Sequence, residues 1–408
     1  MPQAGQKYVL VMVGLPARGK SYTARKLARY LRWLGYPTRV FNAGELRRHK
    51  LGTGYSAAFF DPGNADGQRA LEAMARESFG QLTDWLLREG RIGIFDATNT
   101  TRERREWIRK LCDGRGLEPV FVEVINDDPA AIEENIRANK LGSPDYEGTP
   151  LAEAVRDFRR RIAHYERAYV QVDDPEGSYL KLIDRHRKIV SHRIDGWIPA
   201  RIVGFLTNLR ITERPVLLTR HGESSFNQEG RIGGDPPLSP GGRGFAAELG
   251  AYLSRRFGGE GAEVWTSTMR RTVETAAPLD LPVREWRSLD EIDAGICDGL
   301  TYEEIRRRHP QEHAARTRDK LRYRYPRGES YQDVIQRLDR VIIELERQNS
   351  PVLVISHQAV MRALYAYFAD VAAERIPHVP VPLHTLIELT PRAYDCIEER
   401  IALTADAA

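Results

Sequence analysis

The chain has 408 residues, of which 41% are hydrophobic and 29% charged, and a formal net charge of +4. That length suits two domains, each large enough to bury its own core, and no apolar run is long enough to cross a bilayer, which excludes a membrane-spanning protein of the helical type. The positive excess is small and spread over arginines along the whole chain, so it does not call for nucleic acid; anionic small-molecule substrates account for it equally well.

The start, MPQAGQKYVLVMVG, lacks the basic flank and small-residue cleavage site of a signal peptide, and its apolar run leads straight into a glycine loop, so it reads as a strand. Three cysteines, Cys112, Cys297 and Cys396, have no metal-ligand or redox spacing. They predict free thiols, no structural metal and a cytoplasmic location.

Strands are expected at Tyr8–Val13, Arg39–Phe41, Ile92–Phe95, Val120–Ile125 and Tyr179–Ile183, alternating with helical patterns as in a parallel α/β domain. Leu71, Met74, Leu82, Trp85 and Leu86 fall near one helical face that packs on the sheet. A helix over Leu151–Tyr169 sets Arg161 and Tyr165 four apart on one face. Arginine-rich pieces such as Arg102–Arg105 and Arg306–Arg308 read as solvated helix faces.

A mixed apolar helix over Arg201–Leu209 leads to Pro215, which opens a new strand, and the boundary falls near Thr212, giving domains 1–212 and 213–408. The second half begins a fresh α/β series with strands at Val216–Thr219, Glu263–Thr266, Val352–Ile355 and Leu386–Leu389. The tail after Glu399 is expected to be short and frayed.

The first chemical signal is GLPARGKS. Gly14, Gly19, Lys20 and Ser21 satisfy the phosphate-loop pattern directly after a strand and before a helix through Leu27, Leu31 and Leu34. In such a loop the backbone of Gly14, Leu15, Pro16, Ala17, Arg18 and Gly19 wraps the phosphates of a nucleotide, Lys20 reaches the outer phosphates and the Ser21 hydroxyl can ligate Mg2+. Asp96, ending the third strand in DATNTTRERR, is placed to hold that magnesium or to accept the acceptor's proton; Thr98, Asn99 and Thr100 supply caps for the helix that follows. The acceptor itself is not named by a phosphate loop. Arg48, Arg69, Arg102, Arg104, Lys140 and Arg161 are the cations available to a second anionic substrate, though each taken singly is a surface residue by default.

The second signal is LLTRHGES, partnered by Ser267–Arg271 and by VISHQ at Val354–Gln358. His221 and His357 each follow an apolar strand, where open α/β sheets hold ligands. A neutral His221 can attack phosphorus and form a phosphohistidine, with Arg220, Arg271 and His357 neutralising the transferred group. The leaving alkoxide needs a proton, and Glu291 in LDEIDAG is the best candidate; spacing alone does not choose between it, Asp290 and Asp293.

With both sites in hand, the chain resembles the bifunctional 6-phosphofructo-2-kinase/fructose-2,6-bisphosphatase family from about Tyr8 to about Cys396. The resemblance is carried in order by VMVGLPARGKS, FDATNTTRERR, KLGSPDY, RHGESSFNQEGRIGGD, EIDAGICDGLTYEEI, YRYPRGESYQDVIQRL and SHQAVMRALYAYF. It implies an amino-terminal P-loop NTPase-like parallel sheet and a carboxy-terminal histidine phosphatase, phosphoglycerate mutase-like, α/β domain. The implied reactions are ATP plus fructose 6-phosphate to fructose 2,6-bisphosphate plus ADP, and hydrolysis back to fructose 6-phosphate and phosphate.

By motif position the resemblance carries sugar-phosphate contacts onto Arg48, Arg69, Thr98, Arg104, Lys140, Arg161 and Tyr165, of which Arg69 sits after a segment two residues shorter than in relatives. It carries the nucleophile onto His221, the acid onto Glu291 and phosphate contacts onto Arg220, Arg271 and His357. Bisphosphate contacts fall on Asn227, Gly233, Tyr302 and Arg316, and further on Lys320, Tyr331, Gln358 and Arg362. A homodimer is implied in the same way. The chain departs from animal relatives in reading Asn126 where they have a cysteine, and it begins and ends close to the two domains, so the regulatory terminal extensions of some animal forms are not expected. Three other readings remain: a polynucleotide-end kinase, with Tyr323 and Tyr325 among Arg322, Arg324 and Arg327 as a stacking groove; a phosphoglycerate mutase second half; and a catalytically silent sugar-phosphate sensor.

Overall fold

The computed structural model describes residues 5–140, 144–211, 213–258, 261–392 and 395–403, with the side chains of 138–140 excepted. The chain forms two compact units, Met1–Leu209 and Arg210–Ala408. The boundary expected near Thr212 lies outside the described residues.

The first unit runs β1 (Tyr8–Val13), α1 (Lys20–Trp33), β2 (Thr38–Asn42), α2 (Ala43–Leu51), α3 (Ala65–Arg88), β3 (Ile92–Asp96), α4 (Arg102–Asp113), β4 (Glu118–Ile125), α5 (Pro129–Lys140), α6 (Leu151–Glu166), β5 (Tyr179–Ile183), β6 (Lys188–His192) and α7 (Trp197–Asn208). Its sheet has the order β2-β3-β1-β4-β5-β6. All pairs are parallel except β5 with β6. Every residue of β1 is buried, as a parallel strand covered on both faces requires. Leu82, Trp85 and Leu86 of α3 close one face against Val9, Val11 and Phe95, while Leu71 and Met74 of the same helix are half-buried.

The helix α6 stops at Glu166, earlier than the expected Tyr169. The arginine run at 102–105 is not one solvated face: Arg105 is fully buried, donating to both carboxylate oxygens of Glu176 and to the carbonyls of Asn99, Thr100, Val170 and Gln171. The four-residue spacing that alternates charge around a helix says nothing about a carboxylate 71 positions away.

The second unit runs β7 (Val216–Arg220), α8 (Ser225–Glu229), α9 (Pro240–Phe257), β8 (Glu263–Thr266), α10 (Arg270–Ala276), β9 (Val283–Glu285), α11 (Tyr302–Arg308), α12 (Pro310–Arg318), α13 (Tyr331–Arg347), β10 (Val352–Ser356), α14 (Gln358–Phe368), β11 (Thr385–Pro391) and β12 (Cys396–Ala402). The sheet order is β12-β11-β7-β10-β8-β9. Strands β7, β10, β8 and β9 are parallel, and β11 runs antiparallel to both β7 and β12. The chain does not fray directly after Glu399 as expected: β12 continues through Arg400 and Ile401 to Ala402, because its backbone pairs with β11 residue by residue, and residues 404–408 lie outside the described residues. Such pairing satisfies N–H and C=O groups without needing an apolar signature. Among the described residues no cysteine is in a disulfide, and no helix is long and apolar enough to cross a membrane.

Candidate functional sites

In the first unit, β1 ends in a loop whose geometry is dictated by close approach. A Cβ on Gly14 would stand 2.6 Å from the carbonyl oxygen of Val124, and the residue adopts φ 131°, so only glycine fits. The Gly14 N–H donates to Thr98 O at 2.9 Å, and Asn99 Nδ2 donates to Met12 O at 2.8 Å, which ties the loop after β3 to the loop after β1. Asn135 of α5 holds the far side through Ala17 O at 3.1 Å. Helix α1 starts at Gly19 with no side-chain cap hydrogen bond, leaving its first N–H groups for an anion. Lys20 is buried and donates to Leu15 O at 2.5 Å, folded over the loop it serves. Arg18 is buried beside Glu166 at 3.5 Å.

Asp96 is 4% exposed and accepts from Asn42 Nδ2 at 2.5 Å, so the end of β2 orients the carboxylate at the end of β3. The caps expected at Thr98, Asn99 and Thr100 are instead one residue further on: Thr101 caps α4 by accepting from Arg104 N. Thr98 serves through its carbonyl, and Asn99 takes φ 45° to turn the chain. Asn126, where animal relatives carry cysteine, is buried after β4 and accepts from Asp128 N at 3.3 Å.

Of the expected sugar-phosphate contacts, Arg48 and Arg161 converge on the buried Asp145, each at 3.7 Å, together with Arg47. Arg161 lies over the Phe60 ring at 3.6 Å, and Tyr165 packs against the same ring at 6.3 Å. Arg47 carries no spacing signal in the sequence, and Asp145, although inside the run KLGSPDY, is not singled out there. Arg104 is half-buried and paired with Glu72. Arg69 is brought to none of these: it is exposed on α3 and paired with Asp66 one turn away. The side chain of Lys140 lies outside the described residues.

In the second unit, the register sets Ser356 of β10 beside Arg220 of β7, so the residues that follow, His221 and His357, emerge side by side with ring centroids 5.1 Å apart. His221 Nδ1 bonds Gly222 O at 2.7 Å, and since a carbonyl only accepts, Nδ1 carries the proton and Nε2 keeps its lone pair. Arg271 Nε donates to that Nε2 at 3.1 Å. Burial, and then the Arg271 guanidinium, hold His221 well below the usual histidine range, and burial does the same to His357. Both rings are therefore neutral at physiological pH. Gly222 is fixed by packing: a Cβ there would collide with the carbonyl of Gly242 at the start of α9.

His357 Nε2 bonds Ser267 Oγ at 2.8 Å, leaving Nδ1 buried and without a partner; Arg220 Nε is in the same state. Burial pushes Arg220 down to about 10. Two orphaned buried nitrogens beside an imidazole lone pair fit the oxygens of a phosphoryl group.

Glu291 stands at the start of α14, accepting from Ile292 N, Gln358 N and Ala359 N at 2.9–3.2 Å. Its competitors are turned to other tasks: Asp290 accepts from Thr268 N and Oγ1, and Asp293 from Gly295 N. One pocket is lined by Arg220, His221, Arg271 and Glu291, and by Asn227, Gly233, Tyr302, Arg316, Lys320, Tyr331, Gln358 and Arg362. Arg316 is oriented by the hydroxyls of Tyr325 and Tyr302, at 2.8 and 3.0 Å; Lys320 donates to Pro377 O; Arg362 donates to Val379 O and the Tyr331 hydroxyl. Burial, with Arg362 and Arg316 close by, pushes Lys320 down to about 8. The tyrosines considered for base stacking serve here: Tyr323 and Tyr325 line the same pocket edge to face, and Tyr325 is 5% exposed. Arg231, also in the wall, lies within the run RHGESSFNQEGRIGGD but is not singled out there.

A phosphate loop on one sheet and a paired-histidine, arginine-lined pocket on the other define a protein with two phosphoryl-handling sites. Residues 1–213 match the model of the 6-phosphofructo-2-kinase family, and residues 216–404 that of the histidine phosphatase superfamily, branch 1. The chain is 50% identical over 395 residues to the 6-phosphofructo-2-kinase/fructose-2,6-bisphosphatase of Arabidopsis thaliana, covering 95% of this chain and 53% of that protein, so it spans about half of that relative's length. It is 49% identical to the human 6-phosphofructo-2-kinase/fructose-2,6-bisphosphatase 4, covering 98% of this chain and 86% of the relative. Among solved structures, an alpha-ribazole phosphatase from Shigella flexneri aligns with 46% of this chain and 96% of its own, at 24% identity and a TM-score of 0.42. The chain belongs to the 6-phosphofructo-2-kinase/fructose-2,6-bisphosphatase family.

Proposed function

We propose that the chain both makes and hydrolyses fructose 2,6-bisphosphate. The observation that carries this reading is the charge of the second pocket: six cations, Arg220, Arg231, Arg271, Arg316, Lys320 and Arg362, against the single carboxylate of Glu291 among the lining residues. A monoester needs cations at one end only, whereas this distribution, with Arg220 and Arg271 at His221 and a second group around Arg316, Lys320 and Arg362, suits a sugar with two phosphates.

In hydrolysis, Nε2 of the neutral His221 attacks phosphorus at the sugar's O2 ester. Arg220, Arg271 and His357 offset the charge on the transferred group, and Glu291 delivers a proton to the departing oxygen. Water then attacks the phosphohistidine, with Glu291 taking its proton.

In synthesis, the loop Gly14–Ser21 holds the phosphates of ATP and Lys20 offsets charge between them. Arg48, Arg161 and Tyr165, with Thr98 and Arg104, hold fructose 6-phosphate, and Asp96 orients its 2-hydroxyl. Ser21 and Asp96 offer hard oxygen donors in the number that Mg2+ takes from protein when substrate phosphates and water complete its shell. The ion would supply charge neutralisation on the transferred phosphoryl group. Cysteines that form no disulfide, Cys112 and Cys297 of them buried, support a reducing, cytoplasmic location, and the homodimer is carried over from the family resemblance.

Incubation with fructose 6-phosphate, magnesium and γ-labelled ATP tests the reading. It expects labelled fructose 2,6-bisphosphate followed by sugar-dependent release of labelled phosphate. If supplied bisphosphate is hydrolysed but none is made, the kinase acceptor is wrong; if neither happens, the substrate assignment fails.

A further inference from the structure

The residue that protonates the leaving group sits on irregular backbone. From Asp290 to Ala294 the chain forms neither helix nor strand, yet a misplacement of about 1 Å at a reacting group can cost about 10²-fold in rate. Something outside the segment must hold it.

Arg337 of α13 does so. Its Nη1 donates to Ser288 O at 2.6 Å, and Nη2 donates to Asp290 O at 2.7 Å and to Glu291 O at 3.2 Å. The other edge of the guanidinium meets Glu329, Nε to Oε1 at 2.9 Å and Nη2 to Oε2 at 3.1 Å. Glu329 Oε2 also accepts from Asp293 N at 3.1 Å. One ion pair thus grips the main chain on both sides of Glu291, by carbonyls before it and an N–H after it. The neighbours of Arg337 on α13, Val334, Leu338 and Val341, are fully buried, so the guanidinium projects from a fixed support. Arg337 is not among the residues lining the pocket, and its described donors go to the backbone around Glu291 and to Glu329. A planar fork with donors on two edges is what the arrangement needs, and a lysine ammonium cannot span it.

We propose that Arg337 is a positioning residue for the phosphatase reaction: with Glu329 it fixes the backbone around Glu291 so that this carboxyl reaches the leaving oxygen. The inference rests on the function proposed above. In the step it serves, the bond from His221 Nε2 to phosphorus forms, the bond from phosphorus to the sugar's O2 breaks, and the proton of Glu291 passes to that oxygen, leaving fructose 6-phosphate and a carboxylate.

The test is a double-mutant cycle on the full chain, read as single-turnover phosphoenzyme formation from fructose 2,6-bisphosphate. Glu291→Gln should slow the step about 10²–10³-fold, and Arg337→Lys about 10–10²-fold. Because Arg337 acts only through Glu291, the double variant should fall within about threefold of Glu291→Gln alone. Glu329→Gln, nearly isosteric and less prone to misfold, should slow the step in the wild-type background and not in Glu291→Gln. Losses that multiply in both double variants would overturn the proposal, as would Arg337→Lys and Glu329→Gln at the wild-type rate, or Glu291→Gln without effect. A wild-type chain that forms no phosphoenzyme from the bisphosphate sinks the underlying reading instead, and that result is visible before any variant is made.

Discussion

Lys320 should make bisphosphate binding depend on pH between about 7 and 9, above the second ionisation of a phosphate monoester near about 6 and below the about 10 of Arg220. Burial, and then Arg362 and Arg316, push its pKa down to about 8. The ammonium is then about nine-tenths protonated at pH 7 and about one-tenth at pH 9. A charge-assisted hydrogen bond to phosphate is worth about 1.5–3 kcal/mol, roughly 10–160-fold in affinity. Over two pH units the loss of protonated Lys320 caps the effect at about tenfold and the strength of the bond sets where below that it falls: KM for fructose 2,6-bisphosphate should rise about five- to tenfold between pH 7 and pH 9. The substrate's phosphates, with a second pKa near about 6, are already about nine-tenths ionised at pH 7, so their change over this range is small and of opposite sign. Initial rates of phosphate release across pH 6.5–9.5 give the profile. Lys320→Arg should flatten it at the low-KM end and Lys320→Met at the high-KM end. A wild-type KM unchanged to pH 9, or the same rise persisting in Lys320→Met, would refute the reasoning.

His221→Ala should abolish phosphoenzyme and bisphosphate hydrolysis while ATP-dependent synthesis continues; full phosphatase activity in this variant would remove the assigned nucleophile. Lys20→Met should eliminate synthesis and spare hydrolysis, and loss of both activities in a folded protein would point to coupled sites. Arg105→Met should destabilise the first unit by about 3–5 kcal/mol, since it strands the buried Glu176 carboxylate; urea denaturation giving under about 1 kcal/mol would contradict that. The depressed pKa values of His221 and His357 also tie stability to pH. The unfolded chain binds protons at these histidines near about pH 6.5, so their contribution is complete above that value and is lost as pH falls towards the depressed folded values. Melting of the second unit at pH 5 and 7.5 should show an acid penalty that His357→Asn reduces; an equal penalty in the variant would remove His357 as its source.

Much of the site was legible because it lies on motifs that join a strand to a turn. GLPARGKS and LLTRHGE each fuse an apolar strand, a glycine demanded by close approach and the reactive side chain into one contiguous run, and β1, β5 and β8 appear within the limits their apolar runs suggested. Strands β6, β9 and β12 were missed because they are edge or near-edge strands with exposed residues and no apolar pattern. Arg105 was misread for a related reason, since its partner is remote in sequence.

The sequence by itself therefore determined the two α/β units, the phosphate loop with Lys20, and the histidine pair with its arginines, because local spacing and strand-turn grammar encode them. Tertiary structure alone decided which neighbours complete the sites. It set Glu291, and neither Asp290 nor Asp293, in the wall of the pocket beside His221, against the start of α14. It set Asp145 beneath the arginines, left Arg69 outside, and held the Glu291 segment on Arg337. Hydrogen bonds and ion pairs between side chains far apart in sequence depend on distance and direction in space, and spacing along the chain carries neither.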